Sequence, residues 1–248
     1  AWTRSNPQYE DCEVRSRIVV TNKYWIGAGR LSKKDANSLL EVQGDFEIDD
    51  CYDVRGGNCP ILFSGDRDQH YRCGEAGTNA YATVTVAKTG GRLILDTDMD
   101  LTKHRLTSQI VDPQPPSKPL LDVFLTSGTL DLNGHRLILP SGKLTVADGF
   151  TLALPPLGYA DGAVASTGTV ILPSEGVANV RIDLMRGAAE AANPVRLCAS
   201  GTLEGFTDAS CAVVPTDWGS RGKVTNDADA SLLTVGWHRR GGFGVLVK

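Results

Sequence analysis

The chain has 248 residues, a formal net charge of −4 and 22% charged residues. It has no Lys/Arg-dense stretch, so nucleic acid is not an expected partner, and no apolar run reaches the length of a transmembrane helix. Gly is high at 27, Met is low at 2, and Thr, Val and Leu recur in short runs; this is a β composition, sized for one large all-β domain or two smaller ones.

The chain divides by texture into residues 1–90 and 91–248. The first part holds Cys12, Cys51, Cys59 and Cys73 and is expected to be disulfide-rich and loop-rich, a capping or assembly region. Arg17–Tyr24 reads as a strand. Leu31–Val42, LSKKDANSLLEV, fits a short helix behind a Ser32 N-cap, although its LLEV end fits a strand equally well. Phe46-Glu47-Ile48 and Ile61-Leu62-Phe63 are short strand candidates. Cys51–Cys73 reads as a cysteine-stapled insert. Tyr81–Ala87, YATVTVA, alternates cleanly as a strand.

From Gly91 the pattern changes to very short strands between glycine turns. Leu93-Ile94-Leu95, Met99-Asp100-Leu101 and Leu106–Val111 lead to a bridge at 112–119, DPQPPSKP. Its prolines exclude strand and helix interior. Leu121–Leu125 restarts the pattern, and 127–154, SGTLDLNGHRLILPSGKLTVADGFTLAL, is its clearest stretch. Four-residue alternations there are separated by Asn133-Gly134, Ser141-Gly142 and Asp148-Gly149. Strands this short and this closely spaced suit a wound β-solenoid better than a flat sheet. Gly-Thr-apolar recurs at Gly128, Gly168 and Gly201, at spacings too unequal for one strict repeat. Further strand signals fall at Thr169–Leu172, Val177–Leu184, Val195–Ala199, Ser231–Val235 and Gly244–Val247, with a helical turn at Ala188–Ala192.

An even cysteine count predicts three disulfides and an oxidising compartment. Cys198 and Cys211 are expected to pair. Cys12, Cys51, Cys59 and Cys73 then form two further bridges, with three connectivities open. No CxxC pair is present to favour zinc. The chain starts at Ala1 rather than Met and carries no Asn-x-Ser/Thr sequon, which gives the expectation of a mature bacterial exported protein.

Candidate sites are sparse. Asp96, Asp98 and Asp100 alternate, which in a strand sets carboxylates on one face about 6–7 Å apart. Calcium is the ion such oxygens would take, and a solvated outer face is the plainer reading. With Lys103 or Arg105 as base, Asp98 and Asp100 could serve a polysaccharide lyase, but no pectin-hydrolase block accompanies them. Asn133-Gly134-His135 reads as a turn. His70, His104, His135 and His238 are scattered, and Gly27-Ala28-Gly29 lacks the rest of a dinucleotide loop. Glu47–Asp50 with Asp53 reads as a solvated acidic loop. Trp2, Tyr9, Tyr24 and Trp25 form an aromatic zone, read either as core or as subunit or glycan contacts.

SGTLDLNGHRLIL resembles the β-helical repeats of bacterial surface and autotransporter passenger-like proteins. The tail, from PVRLCASGTLEGF through Asp217-Trp218-Gly219 to a last strand pair at Ser231–Val235 and Phe243–Val247, resembles the end of the same sort of protein. The resemblance covers residues 91–248 and implies an exported right-handed parallel β-helix used for structure or adhesion.

The resulting expectation is an extracellular structural protein, not an enzyme, that self-assembles into a surface filament or layer through its termini by strand complementation. It needs no cofactor. The alternatives are a carbohydrate-binding adhesin module and a calcium-dependent polysaccharide lyase.

Overall fold

The computed structural model describes residues 11–27, 29–49, 54–55, 59–74, 83–101, 122–139, 142–155, 157, 159, 161–183, 194–214, 221–227 and 232–238. In chain order the strands are β1 (Asp11–Val14), β2 (Arg17–Val20), β3 (Lys23–Ile26), β4 (Gly29–Lys33), β5 (Leu39–Val42), β6 (Asp45–Ile48), β7 (Val54–Arg55), β8 (Ile61–Phe63) and β9 (Gln69–Cys73). They continue as β10 (Val84–Leu95), β11 (Met99–Asp100), β12 (Val123–Asp131), β13 (Leu137–Leu139), β14 (Lys143–Val146), β15 (Thr151–Leu154) and β16 (Val164–Ile171). The last five are β17 (Ala178–Ile182), β18 (Val195–Glu204), β19 (Cys211–Val214), β20 (Arg221–Asp227) and β21 (Leu232–His238). No helix occurs among the described residues. The protein is all-β, with one large, mostly parallel sheet.

The pairings form rows. Row one runs β2, β5, β8, the start of β10, the start of β12, β14 and the ends of β16 and β18, all parallel. Row two runs β3, β6, β9, the end of β10, the end of β12, β15, β17 and β19, also parallel. Row three joins β11, β13 and the starts of β16 and β18 in parallel. It ends in an antiparallel hairpin, β21 against β18 and β20 against β21. Strands β1, β4 and β7 make a separate parallel trio.

Alternation fixes which side chains enter the core. In row one Leu40, Ile61, Val84, Val123, Leu144 and Val170 share one register line and are all buried. In row two the line Tyr24, Phe46, Tyr71 stacks its rings, with centroids 5.3 and 5.5 Å apart and Phe63 edge-on to Phe46. In row three the line is Met99, Leu137, Val164, Cys198 and Leu233. Like stacks on like, so the apolar lines fuse into one core.

Strands β10 and β12 serve two rows because each bends partway. Gly91 (φ 60) and Gly128 (φ 88) supply the left-handed backbone there. At Gly128 a side chain would also meet the Cβ of Lys88 at 2.7 Å.

The expected strands at 93–95, 99–101 and through 127–154 are present, with Asn133 (φ 50) and Gly134 (φ 92) making the turn between β12 and β13. Three expectations change. The helical reading of 31–42 gives way to β4 and β5. Ser38 turns the chain between them, its Oγ donating to Val14 O at 2.5 Å and accepting from Asp35 N–H at 2.9 Å, a local capping that competes with helix. The first ninety residues, expected to be loop-rich, carry β1–β9 and the start of β10 among their described residues. No disulfide is formed among the described residues. Among the described residues the last strand pair is β20 with β21; the expected elements at 106–111, 112–119, 188–192 and 243–247 lie outside them.

Candidate functional site: strand-row ends and a buried polar corner

Four large hydrophobic side chains stand exposed among the described residues: Ile18 (39%), Val19 (48%), Trp25 (58%) and Phe124 (37%). The first three lie on β2 and β3, the first strands of rows one and two. Ile18 is in register with the buried Leu40, so it belongs to the core line, yet no described strand lies beyond it. Val20 and Tyr24 are half-buried against the same core. Arg15, Arg17, Lys23 and Lys34 surround this end. At the opposite end row three is covered by the β20–β21 hairpin, while Leu203 and Val213 remain half-buried.

The second feature is internal. Where the chain passes from row one to row two, Lys88 is 2% exposed and Gln69 is fully buried. Lys88 Nζ donates to Gln69 Oε1 at 2.5 Å and to Ser64 O at 3.2 Å. Gln69 Nε2 donates to Val42 O and Gly44 O at 2.9 and 2.8 Å. Burial pulls the Lys88 ammonium down from its ordinary 10.5 to about 8, against the pull of Asp68 and Asp66. Nearby, Glu41 is 4% exposed. Burial opposes its ionisation, but donors from Ser64 (2.7 Å), Gln43 (2.9 Å) and Arg17 outweigh this and hold the carboxyl below the usual carboxylate range. Asp131, buried, accepts from Arg92 at 2.8 Å, and Arg92 also reaches Asp68 at 2.8 Å.

The alternating aspartates do not converge. Asp96 binds His70 Nδ1 at 3.0 Å. Asp98 accepts from Arg136 N–H at 2.9 Å and sits 3.5 Å from His135 Nδ1. Asp100 is buried on β11. The backbone from 96 to 98 is a bend rather than a strand, so the alternation never acquires one face. No three His, Cys, Asp or Glu side chains gather as a metal site among the described residues. Lys103, Arg105 and His104 lie outside them, as do Trp2, Tyr9, Cys51 and the side chains of Cys12 and His238.

Among the described residues Tyr24 is the end ring of the row-two stack, and Trp25 points outward in register with Glu47 and Arg72. Glu47 takes Arg72 at 2.7 Å and also Lys23. Cys198 and Cys211 are thiols that line one apolar cavity with Leu144, Val170, Val180 and Leu233. Burial pushes Cys198 up to about 12, helped by Cys211, and pushes Cys211 up to about 11; such thiols are poor nucleophiles at neutral pH. Cys59 and Cys73 are buried, each with its Sγ directed to the next carbonyl, at 3.6 and 3.7 Å.

Sequence reading missed Lys88, Gln69 and Glu41. Lys88 precedes Thr89-Gly90-Gly91 and looks like a turn charge. Its one sequence signal is phase: in VTVAKTGG it occupies the inward position after Val84 and Val86. No helix among the described residues is long and apolar enough to cross a membrane. Comparison with protein-family models, with curated proteins and with solved structures returned no match to this chain.

Proposed function

We propose that the rows wind as a right-handed β-solenoid and that the protein is an extracellular structural subunit which self-associates at the surface of a bacterial cell. The observation that carries this reading is the clustering of exposed hydrophobics on β2 and β3. Monomeric surfaces rarely leave such groups together at a sheet end, where they template pairing with another chain. Right-handed winding follows the general rule for crossovers between parallel strands. The likeness of SGTLDLNGHRLIL to repeats of bacterial surface proteins supports the compartment and the role. A strand from a neighbouring copy adding to the edge of β2 and β3 would cover Ile18, Val19 and Trp25.

Sedimentation velocity across a concentration series, with electron microscopy of the concentrated sample, tests the reading. Mass-dependent growth into oligomers or fibres is expected, and Ile18→Lys or Val19→Lys reduces it. A single monomeric species at every concentration sinks the proposal. A second reading, a glycan-binding module, is favoured by Trp25, 58% exposed beside Glu47 and Arg72. Glycan-array binding that disappears in Trp25→Ala is its signature.

A further inference from the structure

How well the core fills depends on the size of the inward side chains along each row. Strand spacing is fixed at about 4.8 Å, so a layer of short side chains leaves space. Near the start of the rows Phe46, Phe63 and Tyr71 fill the interior ring against ring, and the gap beside them is about 10 Å³. Further along, all three rows shorten together. Row one steps from Leu144 to Val170 and row two from Leu152 to Val180, while row three passes from Leu137 through Val164 to Cys198. Val170, Val180 and Cys198 lie on three consecutive strands, β16, β17 and β18. This short layer leaves a cavity of about 50 Å³. Leu144 and Leu152 bound it on the side of the earlier strands and Leu233 of the hairpin on the other, with Phe150 and Cys211 also on its wall.

The wall is apolar and suits no water. A buried water needs about two to four polar partners, and the side chains here offer two thiols, which are weak donors. Asn179, also on the wall, turns its Nδ2 to Gly149 O at 3.3 Å. Carbon and sulfur atoms therefore face one another across a gap with dispersion contacts unmade, and the sulfurs of Cys198 and Cys211 are polarizable. We infer that this layer is a binding site for a small apolar, polarizable molecule held between Val170, Val180, Cys198 and Cys211. The inference is independent of self-association, because the site is interior and its whole wall belongs to one chain.

Volume sets the class of ligand. An engineered apolar cavity of about 150 Å³ takes benzene or xenon. At about one third of that volume the present cavity excludes a six-membered ring and admits a molecule of about one to three heavy atoms.

Xenon is the probe. Methyl NMR of the wild type under rising xenon pressure should show saturable shifts at Val170, Val180 and Leu233, and the melting temperature should rise with pressure. Cys198→Leu fills the space from row three. Val170→Ile combined with Val180→Ile fills it from rows one and two and keeps β-branched residues in the strands. Each filled chain should keep the wild-type circular dichroism and lose the shifts. Two separate fillings guard against one that overpacks and fails to fold. Benzene should leave the wild-type melting temperature unchanged. A wild type without saturable shifts overturns the inference, and so do shifts confined to methyls away from this wall. Shifts that persist in a folded, filled variant overturn it too, because the xenon then sits elsewhere. A benzene effect equal to that of xenon overturns the size assigned to the ligand.

Discussion

The buried ammonium of Lys88 makes stability depend on pH with a sign opposite to that of most lysines. Its ordinary value of 10.5 applies in the unfolded chain, and burial brings it to about 8 in the fold. Between those values the unfolded state binds more protons than the folded one, so stability rises with pH. Below about pH 8 both states carry the charge and the full cost of burying it remains. With these two values the linkage relation gives a gain of about 1.3 kcal/mol between pH 7 and pH 9, approaching about 3 kcal/mol beyond pH 10.5. Other groups act in the opposite direction at the alkaline end. Cys198 and Cys211 are raised by burial, and so is Tyr71, again mainly by burial; each costs stability once pH passes its unfolded value. The informative quantity is therefore the difference between the wild type and Lys88→Met. Methionine keeps the length and loses the charge. It leaves Gln69 Oε1 and Ser64 O without their donor, a cost of about 1–3 kcal/mol that does not vary with pH. Urea unfolding at pH 7, 8 and 9, followed by far-ultraviolet circular dichroism, measures both chains. The wild type should gain on the variant by about 1.3 kcal/mol across that interval. A gap that is flat or shrinks with pH refutes the assignment of Lys88 as a desolvated ammonium.

Four other outcomes follow from the packing. Gly128→Ala places a Cβ 2.7 Å from that of Lys88 at φ 88 and should cost about 1–3 kcal/mol in thermal unfolding; an unchanged melting temperature would show that the bend of β12 is relaxed. Phe150→Ala empties a site with 0% exposure, costing about 3–5 kcal/mol, and a loss below about 1 kcal/mol would mean the surrounding side chains collapse into the space. Cys198 and Cys211 should resist iodoacetamide at pH 8 in the folded chain and react within minutes once it is denatured, with fast labelling of native protein as the contrary result. Gln69→Leu combined with Lys88→Met should cost less than the two singles added, by about 0.5–3 kcal/mol, because both break one hydrogen-bonded unit; strict additivity would separate them.

Alternation and turn chemistry were enough to find most strands after Gly91. Leu130, Leu137, Leu139 and Leu144 fall on inward positions because the period of two is intact there, and Asn133-Gly134 announces its own backbone. What local reading cannot reach is the partner of each strand. Arg17 meets Glu41, 24 residues on, and Arg92 meets Asp131, 39 residues on; neither pairing leaves a trace within any short window. The helical reading of 31–42 failed for a related reason. Spacing of Leu31, Ala36, Leu39 and Leu40 permits a helix, but Ser38 reaches back across the sheet to Val14 O, and only the fold supplies that acceptor. The aspartates at 96, 98 and 100 were read as if in one strand, whereas a bend separates Leu95 from Met99, sends Asp96 to His70 and Asp98 to the Arg136 N–H, and leaves Asp100 buried on β11. Lys88 shows the converse error, since a lysine before glycines looks solvated until the inward phase of β10 is followed one residue further.

The placement of buried polar groups also bears on why the outer faces are plain. A chain that keeps changing rows must break its sheet hydrogen bonding at every change, and the freed carbonyls point partly inward. Gln69 answers two of them, Val42 O and Gly44 O, and Lys88 answers Ser64 O; Ser127 Oγ answers Lys88 O at 3.0 Å. Most of the buried hydrogen-bonding capacity described above is thus spent on turning the corner between rows one and two. The strands between corners need nothing beyond alternation. They are free to carry Leu62, Phe124 and Ile171 outward on row one and an ion line of Lys23, Glu47 and Arg72 on row two. Differences between faces then become differences in what each face can adhere to. That division puts the polar chemistry inside the corner and leaves the outer faces of rows one and two, among the described residues, to be distinguished by their simple stripes.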